Sequence, residues 1–352
     1  MARSGAVLAA LLVALLATRA AAEDGRAAKA EEVLQQAIAS DGPGAMVAVV
    51  VDGEVAFRGS AGLADVEAKR AFTPETTFDL ASCTKQFTAM AVLMLAERGS
   101  LSLEDDIRKY LPEFPERTHP IRVIDLLHMT AGPADYMDLV ESFDGVRNVD
   151  IVKLVAPAKL RFPTGTKYEY SNTDYNLLGT IVERASGKTY GEFLEAAIFR
   201  PTGMAHSAVL EREGQEIAHR ATGYTRKEKE WEVSRDDTPG IVGDGSMFST
   251  VDDLALWDRA LRKGKLVEPE TLEIAFTSGK LDSGEETGYG CGWEVGVEAG
   301  HRWAWHNGGW DGTATYVARQ LDGTVSVIVL SNDEGLDTGA LGDKLAKIYS
   351  AP

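Results

Sequence analysis

Residues 78–100 read FDLASCTKQFTAMAVLMLAERGS, and this stretch decides how the rest of the chain is interpreted. Apolar residues at helical spacing follow Lys85, and Gly99-Ser100 supplies a stop, which predicts an amphipathic helix that begins near Ser82. Residues three apart share one helix face, so the Ser82 hydroxyl and the Lys85 amine can touch. An unprotonated amine can take the proton of a serine hydroxyl and make it a nucleophile. The alternative is a core helix with an incidental serine and a solvated lysine, because S-x-x-K is a short motif.

The composition is that of an ordinary globular protein. The chain has 352 residues, 44% of them hydrophobic and 26% charged, which allows one large domain or two smaller ones. With a formal net charge of −18 and no basic stripe, nucleic acid is not expected as a partner. We expect a small-molecule or peptide substrate, and the sequence leaves the oligomeric state open.

The N-terminus has the pattern of a cleavable secretory signal. Arg3 precedes an apolar run over residues 6–17, too short to span a bilayer, and an A-x-A site ends at Ala22. We therefore expect a signal peptide over 1–22, cleavage after Ala22, and a secreted or periplasmic mature domain over 23–352 without a stable membrane span. The alternative is an uncleaved anchor.

The order of predicted elements indicates an α+β fold. A helix over 27–40 and a hairpin at Asp52-Gly53 come first, and a mostly helical region follows, including a short helix that starts in 101–107. The last third of the chain predicts consecutive strands and a closing helix, over 289–297, 301–307, 314–320, 324–330 and 339–349.

This order predicts an antiparallel sheet built from both chain ends and flanked by helices. The sheet region would comprise about 23–80 and 240–352, and the helical region at about 81–239 would be an insertion. A groove between the two regions is a natural place for a site.

The segment Tyr170-Ser171-Asn172 lies in a predicted loop ahead of a helix. A tyrosine beside an ammonium group ionises more easily, so Tyr170 is a candidate general base for Ser82 or for a hydrolytic water. Asn172 can both donate and accept, and so can hold Lys85 together with a substrate amide. The alternative is that Ser171 and Asn172 only cap the helix while Tyr170 packs.

The segment His306-Asn307-Gly308-Gly309 ends a predicted strand. Glycines there allow close backbone approach of a substrate, and the Gly309 N–H with that of Ser82 is a candidate oxyanion hole. His306 is a candidate for binding a carboxylate or polarising a hydroxyl. The alternative is a hairpin turn with an incidental histidine.

Taken together, the order S-x-x-K, Y-x-N, H-x-G resembles the penicillin-recognising serine hydrolases, specifically the class C β-lactamase group with its esterase and D-aminopeptidase relatives. The likeness covers nearly all of the mature chain, including 121–132, 168–179 and 289–293. It implies a β-lactamase/transpeptidase-like fold and an acyl-enzyme mechanism without metal or cofactor.

The resemblance also assigns roles to the motif residues. Ser82 would be the nucleophile, and Lys85 and Tyr170 would share the proton transfers, with the choice of base left open. Substrate positioning would fall to Asn172 and to the strand residues His306, Gly308 and Gly309.

One departure from the pattern concerns the third motif. Class C β-lactamases are similar but carry Lys-Thr-Gly there, and a histidine is largely neutral at pH 7. This favours a peptidase, carboxypeptidase, amidase or esterase over a β-lactamase. A non-catalytic binder of penicillin or cell-wall peptide on the same fold stays open.

Two cysteines, Cys83 and Cys291, are too few for a disulfide scaffold. An exported chain permits a bridge between them, but we favour two buried thiols.

Overall fold

The computed structural model describes residues 25–228 and 230–350. In chain order the strands are β1 (Ala45–Val51), β2 (Glu54–Ala61), β3 (Phe78–Asp79), β4 (Ala208–Val209), β5 (Tyr224–Lys227), β6 (Glu230–Val233), β7 (Met247–Ser249), β8 (Glu294–Glu298), β9 (His301–Trp310), β10 (Thr313–Gln320) and β11 (Val325–Ser331). The helices are α1 (residues 25–37), α2 (Lys85–Glu97), α3 (Val123–Leu127), α4 (Asn148–Val155), α5 (Asn172–Ser186), α6 (Tyr190–Leu194), α7 (Arg200–Thr202), α8 (Val251–Arg262), α9 (Pro269–Ala275) and α10 (Thr338–Ser350). The expected signal segment, 1–22, lies outside the described residues.

The main sheet has six strands in the order β2-β1-β11-β10-β9-β8, and every pairing in it is antiparallel. The first two strands and the last four therefore come from opposite ends of the described chain, and the predicted fold is confirmed. The β1–β2 hairpin turns at Asp52 and Gly53, whose φ angles of 56° and 79° are those that a tight hairpin turn requires.

The two faces of β1 contribute to two separate cores. Val47 belongs to the core that also contains Leu34 of α1 and Leu345 of α10. Ala48 belongs to the other core, with Leu254 of α8 and the apolar side chains of α2. Because helices cover both faces of the sheet, β1 is apolar along its whole length instead of alternating.

Two predicted elements differ from the structure. The strand expected over 289–297 begins only at Glu294, because the chain before it turns at Gly292 (φ 75°), where a Cβ would lie 2.6 Å from the Lys85 carbonyl oxygen. The helix expected from 101–107 is a short 3₁₀ turn at Ile107–Lys109. Its predecessors Asp105 and Asp106 accept hydrogen bonds from nearby backbone N–H groups and so compete with helix formation.

The sequence pattern missed three short features. A three-stranded sheet forms in the order β3-β7-β4, a two-stranded hairpin joins β5 and β6, and α9 follows α8. Strands of two to four residues carry too few positions for alternation to show. The small sheet matters for the site, because β3 leads directly into the Ser82 turn.

Cys83 and Cys291 are both free and buried, as favoured. None of the helices in the described ranges is long and apolar enough to cross a bilayer.

Candidate active site

Ser82 lies in a 3₁₀ turn, Ala81–Thr84, that leads directly into α2. Ala81 has a φ of 46°, a left-handed conformation that costs a non-glycine residue about 1–2 kcal/mol. Asp79 holds this turn, because its Oδ1 accepts the Ala81 N–H at 2.8 Å. Burial raises the pKa of Asp79 to about 6, and that hydrogen bond opposes the rise. The backbone thus bends sharply just before Ser82, which lines a groove.

The Lys85 side chain is fully buried beneath Ser82. Its Nζ lies 3.1 Å from Ser82 Oγ, 2.8 Å from Asn172 Oδ1 and 3.0 Å from the Asp244 carbonyl oxygen. Burial lowers the pKa of Lys85 to about 8, although the nearby Asp244 and Asp135 oppose this. A substantial fraction of this lysine is therefore neutral in mildly alkaline solution.

The three contacts of Lys85 orient its lone pair. The Asn172 Oδ1 and the Asp244 carbonyl oxygen can only accept hydrogen bonds. A neutral amine has two hydrogens, and these two acceptors use both of them. The lone pair is then left for the third neighbour, Ser82 Oγ, which has a proton to give. The geometry suits proton transfer from Ser82 to Lys85.

Asn172 reaches Lys85 from the first turn of α5. The preceding residue, Ser171, is the N-cap of this helix, and its Oγ accepts the Asp174 N–H at 3.1 Å. Asp135 Oδ2 accepts the Asn172 N–H at 3.2 Å and fixes the start of the helix. Helix capping and contact with Lys85 therefore fall to different residues of the Y-x-N segment.

Tyr170 lies between Lys85 and the groove. Its ring centroid is 5.0 Å from Lys85 Nζ, its hydroxyl interacts with Ser82, and 40% of its surface is exposed. Burial of the hydroxyl raises the pKa of Tyr170 above its ordinary value, and Asp244 adds to the rise, whereas the bond to Ser82 opposes it. We expected easier ionisation of Tyr170. The direction is the opposite, because loss of solvation outweighs the hydrogen bond with Ser82 that lowers the pKa.

His306 is not where a carboxylate-binding residue is needed. Only 2% of its surface is exposed, and it is not among the residues that line the groove. Its Nδ1 lies 2.6 Å from the Asn307 carbonyl oxygen, so Nδ1 carries the hydrogen, and Nε2 then accepts from the Tyr289 hydroxyl at 3.1 Å. Burial and the charge of Lys85 lower the pKa of His306 to about 3. The ring is neutral and packs 6.0 Å from that of Tyr170, centroid to centroid.

The two glycines of the third motif differ in their surroundings. A Cβ on Gly308 would lie 2.2 Å from Thr315 Oγ1, 2.4 Å from the Leu80 carbonyl oxygen and 3.2 Å from the Ser82 nitrogen. Gly308 thus lets β9 approach the Ser82 turn, whereas the sequence suggested approach by a substrate. Gly309 lines the groove, and a Cβ there would meet nothing within 4 Å.

The backbone of Gly309 is oriented towards the groove. Trp310 and Thr313 flank a two-residue turn and form a hydrogen-bonded pair, so the next pair, Gly309 and Ala314, is a non-hydrogen-bonded one. The N–H and C=O of Gly309 therefore point away from β10. On that side β8 pairs with β9 only as far as Trp305, which leaves this end of β9 as an open edge.

The groove encloses about 260 Å³ and brings together residues from distant parts of the chain. Ser82, Tyr170, Asn172 and Gly309 line it, and Lys85 supports them from below. The lining also includes five acidic or aromatic residues outside the three sequence motifs: Asp79, Tyr136, Phe143, Asp244 and Trp310.

Of these five, Asp244 lies closest to the chemistry, because its carbonyl oxygen accepts from Lys85 and its Oδ2 accepts from the Tyr136 hydroxyl at 2.6 Å. Its one sequence signal is a polar residue in the glycine-rich turn 243–246.

Comparison with known proteins gives consistent results. A family model described as Beta-lactamase matches residues 26–349. Penicillin-binding protein 4* of Bacillus subtilis (strain 168) is 35% identical over 302 residues, which are 80% of this chain and 66% of that protein. The D-aminopeptidase of Gluconobacter oxydans (strain 621H) is 29% identical over 331 residues, 88% of this chain and 60% of that enzyme. The chain thus spans about two thirds or less of the length of these relatives.

A solved structure shows the same fold. The octameric penicillin-binding protein homologue from Pyrococcus abyssi superposes with a TM-score of 0.76 at 27% identity, over 88% of this chain and 73% of that one.

Proposed function

This chain belongs to the β-lactamase family, and from that premise we propose that it is a serine hydrolase that forms an acyl-enzyme on Ser82. One observation carries the proposal: the fully buried Lys85 amine lies 3.1 Å from Ser82 Oγ with both of its other contacts to obligate acceptors. Burial holds this amine ready to lose its proton, and its neighbours direct the lone pair at the hydroxyl.

Acylation begins when Lys85 takes the Ser82 proton as Oγ attacks the acyl carbon. The oxyanion that forms is held by the N–H groups of Gly309 and Ser82. Tyr170, a neutral phenol, donates its proton to the leaving group and takes the one that Lys85 received, which restores both groups. A water then attacks the acyl-enzyme as Lys85 takes one of its protons, and Lys85 returns that proton to Ser82 Oγ as the bond between Oγ and the acyl carbon breaks and the acid product leaves.

The substrate is an ester or an amide, and a peptidase-, carboxypeptidase- or esterase-like activity is favoured over β-lactam hydrolysis. The third motif contributes a buried neutral histidine in place of a cation for the carboxylate of a β-lactam. The names of two relatives, a D-aminopeptidase and a penicillin-binding protein, support peptide-like substrates.

The N-terminal pattern supports export. Residues 1–22 have the charge, apolar run and small-residue site of a signal peptide, so the mature chain is expected to begin at Glu23. Intact mass of the protein recovered from the periplasm or medium tests this, and a full-length mass would contradict it.

The test of the activity is covalent labelling with a fluorophosphonate, read by intact mass, in wild type and in Ser82→Ala. The variant should lose the label, whereas Ser283→Ala, at an exposed loop position, should keep it. Persistent labelling of Ser82→Ala would remove Ser82 as the nucleophile.

A panel of p-nitrophenyl esters, D-amino-acid amides and nitrocefin then separates the alternatives. Turnover of esters or amides that is lost in Ser82→Ala supports the hydrolase. Labelling without turnover of any substrate would identify a binding protein, and rapid turnover of nitrocefin alone would identify a β-lactamase.

A further inference from the structure

The charge of the groove is unusual for a site that would take carboxylate-bearing substrates. Two of its lining residues, Asp79 and Asp244, are acidic. Over the residues that the structure describes, no arginine, lysine or histidine side chain lines it. Arg220 acts on the Asp79 carboxyl from outside the lining, and the cation that acts on Asp244 is Lys85, which lies buried beneath Ser82 and must lose its proton to act as the base.

Asp244 has an unused hydrogen-bonding atom. Only 7% of the residue is exposed, its Oδ2 accepts from the Tyr136 hydroxyl, and its Oδ1 has no partner within the described chain. An unpaired buried carboxylate oxygen is costly unless a charge compensates it. Burial raises the pKa of Asp244, and the nearby Lys85 ammonium opposes the rise, so in the resting protein Lys85 is the compensating charge of this carboxylate.

The loop that carries Asp244 is held rigidly. Thr88 Oγ1 donates to the Gly243 carbonyl oxygen at 2.5 Å, and Asn148 bonds both the N–H and the C=O of Val242. Together with the Tyr136 hydroxyl, which donates to Oδ2, these bonds keep the carboxylate in place when Lys85 becomes neutral. A compensating charge has to come from elsewhere.

An aromatic wall of the groove begins beside Asp244, at Tyr136. Tyr136, Phe143 and Trp310 follow one another edge to face, with centroid separations of 6.2 Å at each step, and the Trp310 Nε1 is tied to the Asp236 carbonyl oxygen. Aromatic faces attract alkylammonium groups as well as apolar side chains. The groove thus combines a buried carboxylate, that of Asp244, with aromatic rings that attract a cation.

We propose that Asp244 is a specificity-determining residue that selects acyl groups carrying an ammonium substituent, which replaces Lys85 as the counter-charge of this carboxylate. The inference rests on the proposed function and names the substrate class of the same groove. Asp244 acts through its charge, since its Oδ1 is enclosed. A substrate with a carboxylate near the acyl carbon meets repulsion from Asp79 and Asp244.

The bound cation also promotes the reaction. Asp244 favours the protonated form of Lys85, so a second cation near Asp244 shifts Lys85 towards its neutral, reactive form. Other ionisable groups face the pair, and their charges are the same for both substrates compared below. They are Asp135 and Tyr136 before α4, Tyr170 before α5, Tyr190 of α6, His306 of β9 and Cys83 of the Ser82 turn.

The test uses two esters of the same shape. One is the p-nitrophenyl ester of trimethylammonioacetate, whose charge does not titrate, and the other is its neutral isostere, the p-nitrophenyl ester of 3,3-dimethylbutanoate. Each kcat/KM is divided by the rate of hydroxide hydrolysis of the same ester. In wild type the normalised ratio should favour the cationic ester by about tenfold or more. In Asp244→Asn the preference should be lost, and Asp144→Asn, an exposed acid beside Phe143, should keep it.

The pH profile separates this role from a structural one. The acid limb of kcat, which reports groups in the enzyme–substrate complex, should lie about one pH unit lower for the cationic ester than for the neutral ester in wild type, and the two limbs should coincide in Asp244→Asn. If Asp244→Asn does not fold, Tyr136→Phe provides a second variant. It removes the hydrogen bond that favours the charged carboxylate, and the preference should decrease.

Equal normalised rates for the two esters in wild type, or the same preference in wild type and Asp244→Asn, would overturn the inference. If turnover still depends on Ser82, either result leaves the proposed hydrolase function unaffected. Absence of Ser82-dependent turnover with every ester would instead count against the proposed function.

Discussion

The titration of Lys85 should set the pH dependence of Ser82 acylation. With a pKa of about 8, roughly a tenth of Lys85 is neutral at pH 7 and roughly nine tenths at pH 9, so the rate should rise about tenfold between them. A solvated lysine with a pKa of 10.5 would have about 300-fold less neutral amine at pH 7. Burial is thus the main source of reactivity near neutral pH.

The assay is the rate of fluorophosphonate labelling from pH 6 to pH 10, followed by intact mass and corrected for hydrolysis of the reagent. The rate should increase with pH and level off with a midpoint near 8. Lys85→Arg should abolish labelling, because a guanidinium keeps its proton. Lys188→Arg, on the exposed loop after α5, is the matched control and should behave as wild type. A flat profile, or a midpoint near that of a solvated lysine, would refute the assignment of Lys85 as base.

Three further predictions follow from the packing. Gly308→Ala should destabilise the fold by about 1–3 kcal/mol in urea denaturation and abolish labelling, because its Cβ would overlap neighbouring oxygens. Gly309→Ala should keep wild-type stability and lower turnover, and equal stabilities of the two variants would contradict this. His306→Leu should lower the free energy of unfolding by about 1–3 kcal/mol, because the buried Tyr289 hydroxyl loses its acceptor, and labelling should persist. Complete loss of labelling in a variant with a native melting curve would indicate that His306 takes part in the reaction. Cys83 and Cys291, whose pKa values burial raises to about 12, should resist iodoacetamide at pH 8 in the native protein and both react in urea without a reductant; failure to react in urea would indicate a disulfide.

The fold could be predicted from the sequence wherever a signal extended over several residues. The β-branched runs of β1 and β11 and the Asp52-Gly53 turn gave the sheet and its chain-end origin. The helix expected over 101–107 was wrong because aspartate side chains bond the local backbone there, which a periodicity cannot reveal.

The sequence predicted which residues meet at the candidate site better than it predicted their protonation and exposure. Ser82, Lys85 and Asn172 are in contact as the spacing and the motifs indicated. The environment of each group could not be read from the chain. Tyr170 resists ionisation and His306 is buried because of solvation in the folded protein, and solvation depends on residues far away in sequence. Asp244 was missed for the same reason, since its neighbours Lys85 and Tyr136 lie more than 100 residues away.

The antiparallel sheet also sets the order in which the reactive centre is completed during synthesis. The Ser82 turn leaves the ribosome early, yet β1 pairs with β11, and the open edge of β9 needs β10 beside it. A nascent chain that ends at α8 therefore contains Ser82 and Lys85, but it lacks the Gly309 N–H and it lacks β11, the strand that pairs with β1 on the side away from β2. The proposed hydrolytic activity should therefore appear only after the last strands have been added, and premature termination late in translation should yield inert protein.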